Sequence, residues 1–191
     1  MILSERFDNA LLLASDLHRK QQRKGTGIPY LSHLLGVAGL VLEHGGNEDE
    51  AIGALLHDAV EDQGGAPTLA LIRERFGDRV AEIVAGCTDA DTIPKPPWRA
   101  RKETYLAHIR TAPPSVRLVS NADKLHNARA ILADYREVGD ALWERFNADA
   151  DELVWYYRSL ADAFLETGDS ALARELDRVV REIEREVGKG A

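Results

Sequence analysis

Apolar residues recur at steps of three and four along nearly the whole chain. Early in the sequence the recurring positions are Phe7, Ala10, Leu11, Ala14 and Leu17. Such spacing places apolar side chains on one face of a helix, where they can be buried together. No stretch alternates apolar and polar residues well enough to indicate a strand. The pattern therefore predicts helices throughout.

Caps, glycines and prolines divide this pattern into separate helices. Ser32 is expected to cap one helix, and Asn47 followed by Glu50 resembles a capping box that opens the next. Further helices are predicted over residues 68–76, 78–87, 98–110, 115–137, 149–166 and 169–187. We expect an all-α single domain over residues 1–191, a helical bundle of nine or ten helices around one core.

Composition and charge narrow the classes of partner. With 32 acidic against 24 basic residues the formal charge is -8, which argues against nucleic acid or a membrane as a partner. The single cysteine, Cys87, excludes an intramolecular disulfide and a cysteine-rich zinc site. Apolar stretches are far shorter than the roughly 20 residues of a membrane span. Because its start does not look like a secretion signal, the chain is expected to be cytoplasmic.

Four polar residues with metal-ligand or acid–base chemistry follow one strongly apolar segment. His57 and Asp58 come directly after residues 54–56, where adjacent polar side chains cost free energy unless something satisfies them. We expect the pair to lie mid-helix, with Glu61 and Asp62 one turn further along the same helix. An isolated His-Asp pair on a helix is more often simply hydrogen-bonded, so this pair alone does not establish a metal site.

Further candidate ligands lie elsewhere in the chain. Asp123 also follows an apolar run and has Asn127 one turn later, while His33 begins the helix after a Pro-Tyr turn. Histidines and carboxylates without a thiolate suit a divalent ion such as Mn²⁺, Fe²⁺ or Zn²⁺. His126 competes for this role, although a structural place is expected for it. His18 is expected to be a solvated helix end.

Four blocks of sequence carry a resemblance to a known family. They cover residues 23–33, 55–62, 88–95 and 121–129. His-Asp-x-x-Glu-Asp in the second block, combined with Asp-Lys-Leu-His-Asn in the fourth, is specific to one branch. The chain resembles the HD-domain metal-dependent phosphohydrolases, and among them the hydrolase domain of the RelA/SpoT homologues, over about residues 5–165. It looks like a stand-alone small alarmone hydrolase.

The resemblance implies a role for each matching residue. The implied metal ligands are His33, His57, Asp58 and Asp123. Water activation and proton transfer are implied for Glu61 and Asp62. Substrate contacts are implied for Arg23, Lys24, Asn127 and Tyr30, the last as a ligand contact or as structural support. Lys95 is a weaker candidate, for the distal phosphates, and the family points to one divalent ion, Mn²⁺.

The implied reaction removes the 3′-pyrophosphate from a guanosine or adenosine tetra- or pentaphosphate, giving pyrophosphate and the 5′-di- or triphosphate. Gly25 stands where the family usually has Ser, and Ala130 where it often has Thr, so the preferred base is open. Two alternatives remain. One is another HD phosphohydrolase, a 5′-nucleotidase or an NADP(H) 2′-phosphatase. The other is a non-catalytic nucleotide-binding module.

Overall fold

The structure is a computed structural model that describes residues 2–89 and 96–188. Within those ranges it contains helices and an isolated antiparallel bridge between Gln22 and Pro29, but no strand. The helices are α1 (Glu5–Leu17), α2 (Leu31–Glu43), α3 (Glu48–Leu56), α4 (Ala59–Asp62), α5 (Ala66–Phe76), α6 (Asp78–Cys87), α7 (Trp98–Thr111), α8 (Pro114–Val138), α9 (Ala150–Thr167) and α10 (Ala171–Val187), with a 3₁₀ segment at Gly139–Arg145. None of these described helices has the length and apolarity needed to cross a membrane.

The predicted all-α class is confirmed, and so are most of its local signals. The ends of α5 to α10 lie within two residues of the predicted ones. Asn47 and Glu50 form the capping box, each side chain accepting a hydrogen bond from the other's backbone N–H. The cap predicted at Ser32 is wrong. Ser32 N–H donates to Pro29 O at 3.0 Å, so the chain is already turning, and α2 begins one residue before Ser32.

The placement of His57 and Asp58 within one helix is also wrong. They lie at a break between α3 and α4. At Asp58 φ is -95° and ψ is -3°, far from the helical ψ of about -42°, so the regular helix is interrupted there. The N–H of Asp62 still donates to Asp58 O at 3.0 Å. The chain therefore keeps its sense of turning into the short α4, which carries Glu61 and Asp62.

The described residues group into two compact units, of which the first takes in residues 2–89 and Ala112–Ala122. Its central element is α3, which packs against α1, α2 and α6. The six residues from Ala51 to Leu56 are all buried. His57 and Asp58 follow directly, so the well-packed helix α3 fixes the position of these two residues.

The second unit takes in Pro96–Thr111 and residues 123–188. In it α9 packs against α7 and α10. Helix α10 buries one face through Leu172, Leu176, Val180 and Ile183, as its amphipathic pattern predicts. The assignment of residues 1–191 to a single domain stays a prediction.

Candidate metal centre and active site

Three side chains of the first unit converge on one point. His33 lies in the first turn of α2, while His57 and Asp58 follow α3, and one ligand atom from each lies within 4.8 Å of the others. Asp58 Oδ2 is 2.9 Å from His57 Nε2 and 3.6 Å from His33 Nε2. Both imidazoles are buried, whereas the Asp58 side chain is 22% exposed. The group could hold a metal ion.

The orientation of His57 supports that interpretation. Its Nδ1 lies 2.8 Å from the carbonyl oxygen of Ala54 and must carry the proton, since a carbonyl can only accept. In the neutral ring, Nε2 then presents a lone pair toward the Asp58 carboxylate. A backbone bond of this kind is how proteins commonly orient a metal-binding histidine. A lone pair on Nε2 and a carboxylate oxygen 2.9 Å apart repel each other unless a proton or a metal ion binds there. Imidazole and carboxylate are donors that bind divalent ions, so the group fits a metal ion as well as a hydrogen-bonded pair.

Tyr30 contacts two of the three converging residues, Asp58 and His33. Its hydroxyl donates to Asp58 Oδ2 at 2.5 Å. Its ring stacks on His18, with centroids 5.3 Å apart, and meets His33 edge-on at 5.4 Å. These contacts are compatible with structural support, one of the two roles implied for Tyr30. The hydroxyl holds one oxygen of the Asp58 carboxylate in place, and both roles of Tyr30 stay predictions.

His18 is not a solvated helix end, because it is only 2% exposed. Ala10, Ala14 and His18 are spaced by four residues, and the two alanines are fully buried. That spacing could have predicted that His18 is buried. The polar residues that follow His18 instead suggested an exposed helix end. Burial lowers the pKa of His18 below its usual value, although a hydrogen bond to Gln21 opposes the shift. His18 is therefore part of the support of Tyr30.

The two carboxylates implied in proton transfer lie on α4. The N–H of Asp89 donates to Glu61 Oε2 at 3.4 Å, and Gln21 Nε2 donates to Asp62 Oδ2 at 2.7 Å. Removal of water by the surrounding protein raises the pKa of Asp62, and the Gln21 bond only partly opposes the rise. A carboxyl group with a raised pKa is better suited to deliver a proton near neutrality. The sequence analysis did not single out Gln21, since glutamine has no metal or acid–base chemistry.

Asp123 and Asn127 belong to the second unit, on α8. Asp123 is buried, and both of its oxygens accept hydrogen bonds, from Lys124 Nζ at 2.6 Å and Asn127 Nδ2 at 2.5 Å. Burial alone would lower the pKa of Lys124, but Asp123 and two nearby tyrosines raise it well above its usual value. The ammonium thus keeps its charge beside the carboxylate. The roles of Asp123 as a ligand and of Asn127 as a nucleotide contact stay predictions.

The implied basic pair lies on a tight loop between α1 and α2. Arg23 N–H donates to Ile28 O at 2.8 Å, and Thr26 Oγ1 donates to Arg23 O at 3.1 Å. Gly25 has a φ of +71°, a left-handed conformation that side chains other than glycine rarely adopt. This turn explains why glycine follows the Arg-Lys pair here. Lys95, the weaker candidate, lies outside the described residues.

Relatives of the chain include two proteins named guanosine-3′,5′-bis(diphosphate) 3′-pyrophosphohydrolase. The one from Xenopus tropicalis, MESH1, is 39% identical over 130 residues, which is 64% of this chain and 70% of that protein. The one from Aquifex aeolicus is 36% identical over 158 residues, or 83% of this chain. The chain spans only 21% of the length of the Aquifex protein.

A solved structure and a family model complete the comparison. The structure of a metazoan ortholog of SpoT, described as hydrolysing ppGpp, matches 98% of this chain with a TM-score of 0.78. At 23% identity, that likeness indicates a shared fold. Residues 10–151 match the family model described as HD domain. The chain therefore belongs to the HD domain family.

Proposed function

We propose that this chain is a metal-dependent hydrolase that removes the 3′-pyrophosphate from guanosine 3′,5′-bis(diphosphate) and the matching pentaphosphate. Water adds its hydroxyl to phosphorus as the bond to the ribose 3′ oxygen breaks, and a proton goes to that oxygen. The products are pyrophosphate and the 5′-di- or triphosphate. The substrate is taken from the names of the relatives.

The observation that carries the proposal is the convergence of His33, His57 and Asp58 within 4.8 Å. Nitrogen and carboxylate donors without a thiolate suit Mn²⁺, Fe²⁺ or Zn²⁺. We propose Mn²⁺, with Asp123 as a further ligand, because the resemblance to the family implies both. When bound, such an ion would act as a Lewis acid toward a phosphoryl oxygen and would lower the pKa of a bound water. The buried imidazoles and the Tyr30 hydroxyl keep the donors oriented, so little reorganisation is needed when substrate arrives.

Glu61 and Asp62 are the proposed proton-transfer groups. Both lie on α4, directly after the break that carries His57 and Asp58. Two carboxyl groups in different surroundings can divide the work: one takes the proton of water while the other delivers a proton to the leaving oxygen. Burial raises the pKa of Asp62, so Asp62 is the proposed proton donor. Glu61 is then the proposed base.

Arg23 and Lys24 are the proposed phosphate contacts, with Asn127 and Lys95 as further candidates. A chain of formal charge -8 repels a multiply charged nucleotide unless cations offset the field locally. The loop that carries the pair closes at Tyr30, three residues before His33. Arginine suits this role because its guanidinium binds phosphate oxygens in a bidentate way.

The cytoplasmic location stays a prediction.

The function is tested by incubating the purified chain with Mn²⁺ and guanosine 3′,5′-bis(diphosphate), followed by ion-exchange chromatography of the products. We expect equal amounts of pyrophosphate and guanosine diphosphate, and no reaction after chelation of the metal. Orthophosphate as the first product would favour another phosphohydrolase. Binding without turnover would favour a non-catalytic module. The adenosine analogue, run in parallel, tests the preferred base.

Arg23→Ala is expected to raise KM roughly 10-fold or more, the effect of losing a charged hydrogen bond to phosphate. Metal content and thermal stability should stay close to those of the unchanged protein, since Arg23 is not among the proposed ligands. Arg19→Ala is the matched control, because Arg19 is exposed and paired with Asp16. Indistinguishable steady-state kinetics for the two variants would contradict the role of Arg23.

A further inference from the structure

The side-chain amide of Gln21 joins three groups beside the candidate site. Its Nε2 donates to Asp62 Oδ2 at 2.7 Å. Its Oε1 lies 2.7 Å from His18 Nδ1 and 2.5 Å from Gln63 Nε2. The amide of Gln21 therefore forms hydrogen bonds with His18, Gln63 and the carboxylate of Asp62. Gln21 itself has no acid–base chemistry, so its place in the network calls for another explanation.

The direction of the Gln21 amide is determined by its partners. A carboxylate can only accept, so the group facing Asp62 must be the NH₂. The carbonyl oxygen then faces His18 and Gln63, and His18 Nδ1 must carry the proton. The other ring nitrogen of His18, Nε2, is buried and makes no hydrogen bond within the described ranges, as fits a neutral ring. Two donors on one oxygen leave the amide a single orientation.

The backbone around Gln21 is also restrained. Its carbonyl accepts a hydrogen bond from Tyr30 N–H at 2.9 Å, and its N–H donates to His18 O at 3.0 Å. The next residue, Gln22, pairs with Pro29 in the isolated bridge. Gln21 thus lies at the base of the loop that carries Arg23. The same segment presents the basic pair and reaches the carboxylate of α4.

We propose that Gln21 is a positioning residue for Asp62: held by His18 and Gln63, its amide fixes the direction of the Asp62 carboxylate. This inference rests on the proposed function, in which Asp62 transfers a proton. Holding a carboxylate in one orientation favours proton transfer, because the reacting geometry is then already formed. Gln21 would act through Asp62, because its side-chain hydrogen bonds among the described residues go to Asp62, His18 and Gln63 and not to His33, His57 or Asp58.

The test uses Gln21→Glu in the full chain with Mn²⁺ and guanosine 3′,5′-bis(diphosphate). Glutamate keeps an oxygen for His18 and Gln63 but replaces the donor that faces Asp62 with an acceptor. We expect kcat to fall roughly 10-fold or more, with KM, metal content and melting temperature little changed. Gln22→Glu is the matched control. Gln22 is exposed, and its replacement by glutamate adds the same negative charge one residue away from Gln21. It should leave kcat unchanged.

A double-mutant cycle distinguishes positioning from general support. In an Asp62→Asn background, Gln21→Glu should lower kcat little further, because the carboxylate that Gln21 positions is already absent. The amide of the asparagine introduced at position 62 can also donate to the glutamate introduced at position 21. If the two effects multiply, or if kcat falls only with metal content and melting temperature, the inference is wrong. If the unchanged protein hydrolyses the nucleotide but Gln21→Glu matches Gln22→Glu, the inference alone fails. If the unchanged protein releases no pyrophosphate, the proposed function fails first.

Discussion

Asp58→Asn is expected to remove the metal and to lower hydrolysis by about 10³-fold or more, since a bound ion contributes several kcal/mol to such a reaction. Asp58 contributes the only carboxylate among the three converging described residues, and its Oδ2 approaches both imidazoles. Asparagine keeps the shape and an oxygen for the Tyr30 hydroxyl, so the fold should survive. What is lost is the negative charge that balances a divalent cation.

Metal binding to the Asp58→Asn variant can be measured without any nucleotide. Elemental analysis should find much less Mn²⁺ per chain than in the unchanged protein. Because a ligand that binds only the folded state raises its stability, added Mn²⁺ should raise the melting temperature of the unchanged protein but not of the variant. Asp8→Asn, on the exposed side of α1, is the control and should behave as unchanged. Equal metal content and equal melting shifts in the two variants would place the ion elsewhere.

The helices are predictable because their signals are local. Asn47 and Glu50 are three residues apart, and their reciprocal hydrogen bonds involve no other part of the chain. The buried face of α10 repeats at helical spacing for the same reason. His33, His57 and Asp58 could also be named from sequence, but through a motif. Spacing along the chain alone leaves a His-Asp pair ambiguous between a metal site and a hydrogen bond.

The remaining features depend on contacts between distant positions. Tyr30 and Asp58 are 28 residues apart, yet their hydrogen bond decides how the carboxylate is held. Gln21 reaches Asp62 across 41 residues. The break at Asp58 is likewise hidden, because the apolar run before it reads as a helix that continues. Neither residue type nor periodicity carries this information, so the parts that orient the site appear only in the folded chain.

Glu61→Gln is expected to lower kcat by roughly 10²-fold or more, the usual range for loss of a general acid or base. Glutamine matches the size of glutamate and keeps an oxygen that can accept from Asp89 N–H, so α4 and its surroundings should be retained. It cannot take up a proton from water. Metal content and melting temperature should therefore stay near those of the unchanged protein, in contrast to the loss of metal expected for Asp58→Asn.

Asp62→Asn is expected to have an effect of the same order, because the carboxamide cannot deliver a proton to the leaving oxygen. Glu43→Gln, an exposed change at the end of α2, is the control for loss of one negative charge and should leave kcat unchanged. Single-turnover measurements with each variant isolate the chemical step from product release. Near-normal rates for both Glu61→Gln and Asp62→Asn would remove the two carboxylates from the mechanism. A loss in only one variant would assign proton transfer to that residue alone.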